Sequence, residues 1–170
     1  MARNFNVAAL DLATDRSRFE CGVEPLDRYF RAQVSQDIKR RVTACFVATD
    51  VKAEATGQIA GYYTLASASV SLADLPDALA NKLPRYPSIP AVRMGRLAVD
   101  QAFKGEGLGA ALLADALRRS VAAEIAACAF VVDAKDEVAA RFYVHHGFIA
   151  LPEKPLYLLM ALAMVKNLIK

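Results

Sequence analysis

Lys104-Gly105-Glu106-Gly107-Leu108-Gly109 decides how this chain of 170 residues is read. An apolar, strand-like run, Met94 to Val99, precedes it, and a run rich in alanine and leucine with helical spacing follows from Gly107 to about Ala126. A strand that enters a glycine-rich turn and leaves as a helix gathers unpaired backbone N–H groups and the positive end of a helix dipole into one small volume. Anionic oxygen fits there. Gly105, Gly107 and Gly109 carry no side chains to keep a pyrophosphate off the backbone. Two other nucleotide loops do not match. A Walker loop closes on Gly-Lys-Ser or Gly-Lys-Thr, whereas Ala110 and Ala111 follow Gly109. A dinucleotide fingerprint spaces its glycines G-x-G-x-x-G near the start of a unit, and here G-x-G-x-G lies past the middle of the chain.

Outward from the cradle, Phe5 to Leu10 reads as a first strand. A helical pattern from Pro25 through Tyr29 and Phe30 to Ile38 is closed by Lys39-Arg40-Arg41. Thr43 to Asp50 and Gln58 to Val70 form a strand pair around a turn at Ala53 to Gly57. Leu72 to Leu83 is weakly helical, and Pro84, Pro87 and Pro90 impose an extended path before the strand that ends at Val99. Beyond the cradle helix come a short buried strand, Ala129 to Asp133, and a helix that Asp136 can cap. That helix carries Ala139, Phe142, Tyr143 and His146 and stops at Gly147; Phe148 to Leu151 and Leu156 to Ala163 finish as strands. The order implies one α/β domain over residues 1–170. Its mixed central sheet should have about six to seven strands, parallel where helices cross over, with helices on both faces.

A hydrophobic content of 55% suits a single core, and the net charge of +3 is modest. Arginine outnumbers lysine, which favours bidentate contacts to phosphate. Cys21, Cys45 and Cys128 form neither a metal pattern nor an even disulfide set, so a reducing cytoplasm is the simplest compartment. The first ten residues do not read as a secretory signal, and Leu156 to Val165 is too short for a membrane span. His145 and His146 are adjacent on a helix and point apart, with no third ligand spaced to join them; no metal is expected.

Three segments together, Arg93-Met94-Gly95-Arg96-Leu97-Ala98-Val99, Lys104-x-x-Gly107-x-Gly109 and Ala139-x-x-Phe142-Tyr143-x-x-x-Gly147-Phe148, resemble the GNAT superfamily of acetyl-CoA-dependent N-acetyltransferases. Five more segments narrow the resemblance to the acetyltransferase toxins of type II toxin–antitoxin modules. They are Phe19-x-Cys21-Gly22, Leu26-Asp27-x-Tyr29, Gly61-Tyr62-Tyr63-Thr64-Leu65, Pro84-Arg85-Tyr86-Pro87-x-Ile89-Pro90 and Gly95-Arg96-Leu97-Ala98-Val99-Asp100. By position the resemblance implies that the backbone of Leu97, Ala98 and Val99 pairs with the pantetheine arm of acetyl-CoA. It implies that the turn formed by Lys104, Gly105, Glu106, Gly107, Leu108, Gly109 and Ala110 holds the pyrophosphate. It further implies an aminoacyl-tRNA substrate, a small antitoxin partner and a homodimer, with Tyr157 to Met160 available either to the dimer contact or to the core. Two positions depart from the family pattern: Lys104 stands where Gln or Arg is usual, and Asp136 where Asn is frequent.

Acetyl transfer to nitrogen requires a neutral amine, donors for the developing oxyanion and a proton for the departing thiolate. The resemblance gives the proton to Tyr143; the competing reading is a core tyrosine with its hydroxyl tied to protein. No carboxylate stands out as a general base, and Asp100 and Glu106 read as surface charges. An α-amine with a pKa of about 7.7–8.0 is substantially neutral near pH 7.5, unlike a lysine amine at about 10.4, and so manages without a strong base. Arg85, Arg93 and Arg96 are the candidate contacts to tRNA phosphate. Two other readings stay open: an acetyltransferase for a small-molecule amine or a protein N-terminus, and an acyl-CoA-binding module without turnover.

Overall fold

The computed structural model describes residues 4–52 and 57–168. Seven strands, β1 (Phe5–Ala9), β2 (Ala44–Asp50), β3 (Ile59–Ser71), β4 (Ser88–Val99), β5 (Ala129–Asp133), β6 (Ile149–Leu151) and β7 (Lys154–Ala161), form one sheet in the order β1-β2-β3-β4-β5-β7-β6. Among the described residues six α-helices accompany them: α1 (Glu24–Arg28), α2 (Val34–Lys39), α3 (Asp77–Ala80), α4 (Leu108–Ala122), α5 (Glu137–His145) and α6 (Leu162–Leu168). β4 and β5 pair in parallel because α4 carries the chain back between them. The next crossover differs from the expectation. α5 leads to β6, but β7 inserts antiparallel between β5 and β6, so the two strands joined by that helix are not neighbours.

The chain packs as two compact units, one comprising residues up to Ala66 with Arg96–Ala116, the other Ser67–Gly95 with Leu117 onward. In the first, Phe30 stacks on Tyr62 at 4.3 Å between ring centroids, and Phe19 meets both rings edge-on. Tyr62 is fully buried and its hydroxyl donates to the Leu26 carbonyl at 2.8 Å. The helical run reaches this core through a π-helical segment, Tyr29–Gln33, where the Val34 N–H bonds to the Tyr29 carbonyl. That widened turn buries the consecutive rings of Tyr29 and Phe30, which regular helical spacing would turn further apart. Arg41 leaves α2 in the left-handed region at φ 60, so the basic triplet does end the helix.

In the second unit, Val70, Leu75, Leu79, Ile89, Val131 and Leu159 belong to a separate apolar cluster. Pro90 lies inside β4 rather than ahead of it. Near a strand start the missing N–H is tolerated, and the Pro90 carbonyl accepts from Cys128 N–H at 3.0 Å. Burial along β4 changes parity, with Ile89 and Ala91 buried on one side of the switch and Met94 and Ala98 on the other. The residues Tyr157 to Met160 lie on β7 and pair with β5; Leu158 and Leu159 pair with β6 as well and are fully buried. Leu158, Leu159 and Met160 thus belong to the core of this unit, and Tyr157 is half-buried against its apolar cluster.

Three boundaries differ from the sequence reading. α4 ends at Ala122, not near Ala126. Leu72 to Leu83 forms a 3₁₀ turn and the short α3 instead of one weak helix. The last apolar run ends as a strand at Ala161 and becomes α6, whose Leu162 and Val165 are buried. A continuous apolar run has no period to separate these states. The turn expected at Ala53 to Gly57 falls largely outside the described residues.

Gly61 of β3 shows how tightly the strand beside the cradle is held. A Cβ there would sit 2.9 Å from the Ala98 carbonyl oxygen and 2.9 Å from Leu112 Cδ1. Gly61→Ala should therefore destabilise the protein by roughly 1–3 kcal/mol. Urea unfolding checks this, and a midpoint equal to that of wild type would contradict the close approach.

Candidate active site

Among the described residues, the ladder between β4 and β5 joins Ala91–Met94 to Ala129–Val132 and ends there, while β4 continues to Val99. Leu97, Ala98 and Val99 thus lie beyond the paired stretch, with Ala98 buried and its neighbours half-buried. Asp100 then terminates the strand. Its side chain accepts from Ala102 N–H at 2.9 Å and caps the 3₁₀ turn Gln101–Phe103; Phe103 is buried against the Phe5 ring. Gly105 and Gly107 adopt φ 80 and φ 78. L-residues rarely adopt this region, and a Cβ at either position would meet nothing within 4 Å. Both glycines are therefore set by backbone conformation, and the protein leaves the space over them open. Gly109 differs: it lies in the first turn of α4.

The first backbone bond of that turn runs from Ala111 N–H to the Gly107 carbonyl at 3.1 Å. The N–H groups of Leu108, Gly109 and Ala110 precede the helical ladder, at the positive end of a fifteen-residue helix. Leu108 is buried and anchors the turn, while Glu106 is exposed. These donors can grip an anionic group, so the cradle fits a diphosphate. Asp100 corrects the sequence reading: it is 8% exposed, a buried carboxylate and not a surface charge. Nothing local marks it, because one of its partners, Glu20 N–H at 3.0 Å, is 80 residues away. Lys104 is likewise engaged, its Nζ donating to the Cys21 carbonyl at 2.6 Å.

Tyr143 is carried by α5. Asp136 caps this helix by accepting from Ala139 N–H at 2.8 Å, and Gly147, at φ 97, follows its end. The Tyr143 ring packs edge-on against Phe142 and Phe148, at 5.2 and 5.5 Å, and the residue is 7% exposed. Burial pushes its hydroxyl well above the usual tyrosine range, which keeps it protonated. The buried tyrosines divide on one point. Tyr29 donates to Asp37, Tyr62 to Leu26 and Tyr63 to Asp115. Among the described residues, Tyr143 has no such hydrogen bond, so its hydroxyl retains a proton for another acceptor.

The three candidate arginines have different surroundings. Arg85 is exposed, Arg93 forms an ion pair with Asp133 at 2.5 Å, and Arg96 lies over the Tyr29 ring at 3.4 Å from its centroid. Cys21 and Cys45 are buried, and burial raises the Cys45 thiol to about 12, which makes it inert at neutral pH. His145 and His146 are in edge-on ring contact. Among the described residues, no three His, Cys, Asp or Glu side chains form a metal cluster. No described helix is long and apolar enough to cross a membrane.

The model of the acetyltransferase (GNAT) domain matches residues 26–157. The chain is 35% identical over 159 residues to a "tRNA-acetylating toxin" of Mycobacterium tuberculosis (strain ATCC 25618 / H37Rv), covering 92% of each sequence. Among solved structures it resembles AtaT complexed with acetyl-methionyl-tRNAfMet, with a TM-score of 0.87 and 29% identity over 98% of this chain and 100% of that one. It also resembles a tyrosine-to-phenylalanine mutant of the AtaT toxin bound to the C-terminus of the antitoxin AtaR and acetyl-CoA. That match has a TM-score of 0.80 and 26% identity over 96% of this chain and 97% of that one.

The burial of Tyr143 sets an outcome for spectrophotometric titration. In the native protein at pH about 10.5, the phenolate absorbance of wild type should equal that of Tyr143→Phe, and the two should differ by one phenolate only after unfolding. A native difference of one full phenolate at that pH would contradict the assignment.

Proposed function

The chain belongs to the acetyltransferase (GNAT) family, and from that membership we propose that it acetylates the α-amine of aminoacyl-tRNA with acetyl-CoA, blocking translation as the toxin of a toxin–antitoxin pair. The observation that carries this reading is the cradle itself: open space above Gly105 and Gly107, with three N–H groups ahead of the helical ladder. The relatives support the substrate, since one is a tRNA-acetylating toxin and another is a toxin complexed with acetyl-methionyl-tRNAfMet. We further propose a homodimer that acts in the cytoplasm, where charged tRNA is found, and that a small antitoxin neutralises.

Bound acetyl-CoA supplies an acyl carbon activated as a thioester. The N–H groups of Leu108, Gly109 and Ala110 and the α4 dipole offset the charge of its diphosphate. The backbone of Leu97, Ala98 and Val99, free of the β5 ladder, accepts the pantetheine arm as a neighbouring strand would be accepted. Tyr143 holds a proton and gives it to the departing thiolate sulfur, and the proton that the attacking nitrogen loses as the amide forms restores the phenol. The α-amine of an aminoacyl ester is neutral often enough near pH 7.5 to attack without a strong protein base. Arg85, Arg93 and Arg96 are proposed contacts to tRNA phosphate, Arg85 being the one with no partner among the described residues.

The unengaged hydroxyl of Tyr143 favours an enzyme over a module that binds acyl-CoA without turnover. Tyr143→Phe should lower kcat by roughly 10²–10⁴-fold while leaving CoA affinity within about twofold. Induced expression of the two proteins, with mass spectrometry of cellular aminoacyl-tRNA, checks the substrate. Wild type should arrest growth and accumulate N-acetylated aminoacyl-tRNA, and the variant should do neither. Equal growth with no acetylated species would overturn the toxin reading, and acetyl transfer confined to free amines or protein N-termini would replace the acceptor.

A further inference from the structure

Residues Phe19–Gly22 lie about eighty positions before the cradle in sequence, yet they are fastened both to its lead-in and to α1. Glu20 N–H donates to Asp100 Oδ2 at 3.0 Å, and the Glu20 carbonyl accepts from Gln101 N–H at 2.9 Å. The Cys21 carbonyl accepts from Lys104 Nζ at 2.6 Å, while Cys21 N–H donates to Asp27 Oδ1 at 2.8 Å and Gly22 N–H to Asp27 Oδ2 at 3.4 Å. Asp27 is 3% exposed and Asp100 8% exposed, so both carboxylates are buried and both are consumed by backbone donors. A Cβ on Gly22 would lie 2.5 Å from Nε2 of the Gln101 side chain, which lies against it.

We infer that Asp27, Asp100 and Lys104 are positioning residues for the donor site: they clamp the Phe19–Gly22 segment against residues 100–104 and so fix the start of the turn whose N–H groups bind diphosphate. The inference rests on the acetyl-CoA reading above and adds to it. Lys104 occupies the first cradle position, but its ammonium serves a carbonyl, so it orders the loop instead of neutralising phosphate. Among the described residues, Asp27 forms its hydrogen bonds with Cys21 and Gly22. It presents Cys21 to Lys104 by holding the two adjacent N–H groups. A hydrogen bond between a charge and a backbone group is among the stronger ones, and the turn it steadies has two glycines in the left-handed region, which gain the most freedom when released. Groups linked in this way give non-additive losses on substitution.

The test compares wild type, Lys104→Met, Asp27→Asn and the double variant, with CoA itself as the calorimetric probe. Each single substitution should weaken CoA binding about tenfold. The double variant should weaken it no further than the larger single loss, and kcat at saturating acetyl-CoA should stay within about twofold of wild type. Multiplying losses, or a loss in Lys104→Met with none in Asp27→Asn, would mean that Lys104 acts on phosphate directly and would overturn the inference. A fall in kcat with unchanged affinity would overturn it too. Because Asp27→Asn alters a buried group, amide exchange of ligand-free Lys104→Met across Gly105–Ala110 provides a second readout. Faster exchange than wild type supports the clamp, and identical exchange rejects it. Wild type that takes up no CoA would bring down the donor reading and this inference together, whereas normal binding by every variant would bring down the inference alone.

Discussion

Between Val99 and Leu108 the chain must stop being a strand and start being a helix, and the way it does so places the N–H groups of Leu108, Gly109 and Ala110 ahead of the helical ladder. Two left-handed glycines make the reversal, and a buried carboxylate at Asp100 ends the strand. Any L-residue at Gly105 or Gly107 would strain the turn. Helix formation then satisfies N–H groups only from Ala111 onward. The unsatisfied donors are a geometric consequence of starting a helix. In the turn just ahead of them, a Cβ on Gly105 or Gly107 would meet nothing within 4 Å.

The energetics of the surroundings serve to hold that reversal still. Asp100, Asp27 and Lys104 spend their charges on backbone groups of the Phe19–Gly22 segment, and Gly61 lets β3 approach β4 where a methyl group would collide. Phe19 continues into the stacked rings of Phe30 and Tyr62, so the clamp is anchored in the apolar core of its unit. In the other unit the Tyr143 ring is fixed by Phe142 and Phe148, while the hydroxyl makes no bond to the protein among the described residues. A fixed ring with an unspent proton is what a positioned acid needs.

Local patterns were legible in the sequence. The glycine spacing announced the turn ahead of α4, Asp136 and Gly147 marked the ends of α5, and the end of β5 was placed correctly because the apolar run Ile125 to Val132 stops at the charge of Asp133. Long-range partnerships were not. Asp100 reads as a surface carboxylate until Glu20 is brought beside it, and no periodicity signals a contact across 80 residues. The insertion of β7 between β5 and β6 is equally invisible, because the order of strands in a sheet is not written in their own composition. The transition from β7 to α6 falls within one apolar run, where burial on all sides erases both helical and strand periods. The site residues follow the same division. The cradle came from glycine spacing and Tyr143 from the family resemblance, while the absence of a hydrogen-bond partner for the Tyr143 hydroxyl among the described residues needed coordinates.

The central claim is that amides at the start of α4 bind the diphosphate of the acetyl donor. Calorimetric titration of the wild-type protein with CoA and, separately, with pantetheine, which shares the arm but lacks the diphosphate, tests it most directly. One site per chain for CoA, with pantetheine at least about a hundredfold weaker, is the predicted result. Equal affinity for the two, or no uptake of either, would contradict it.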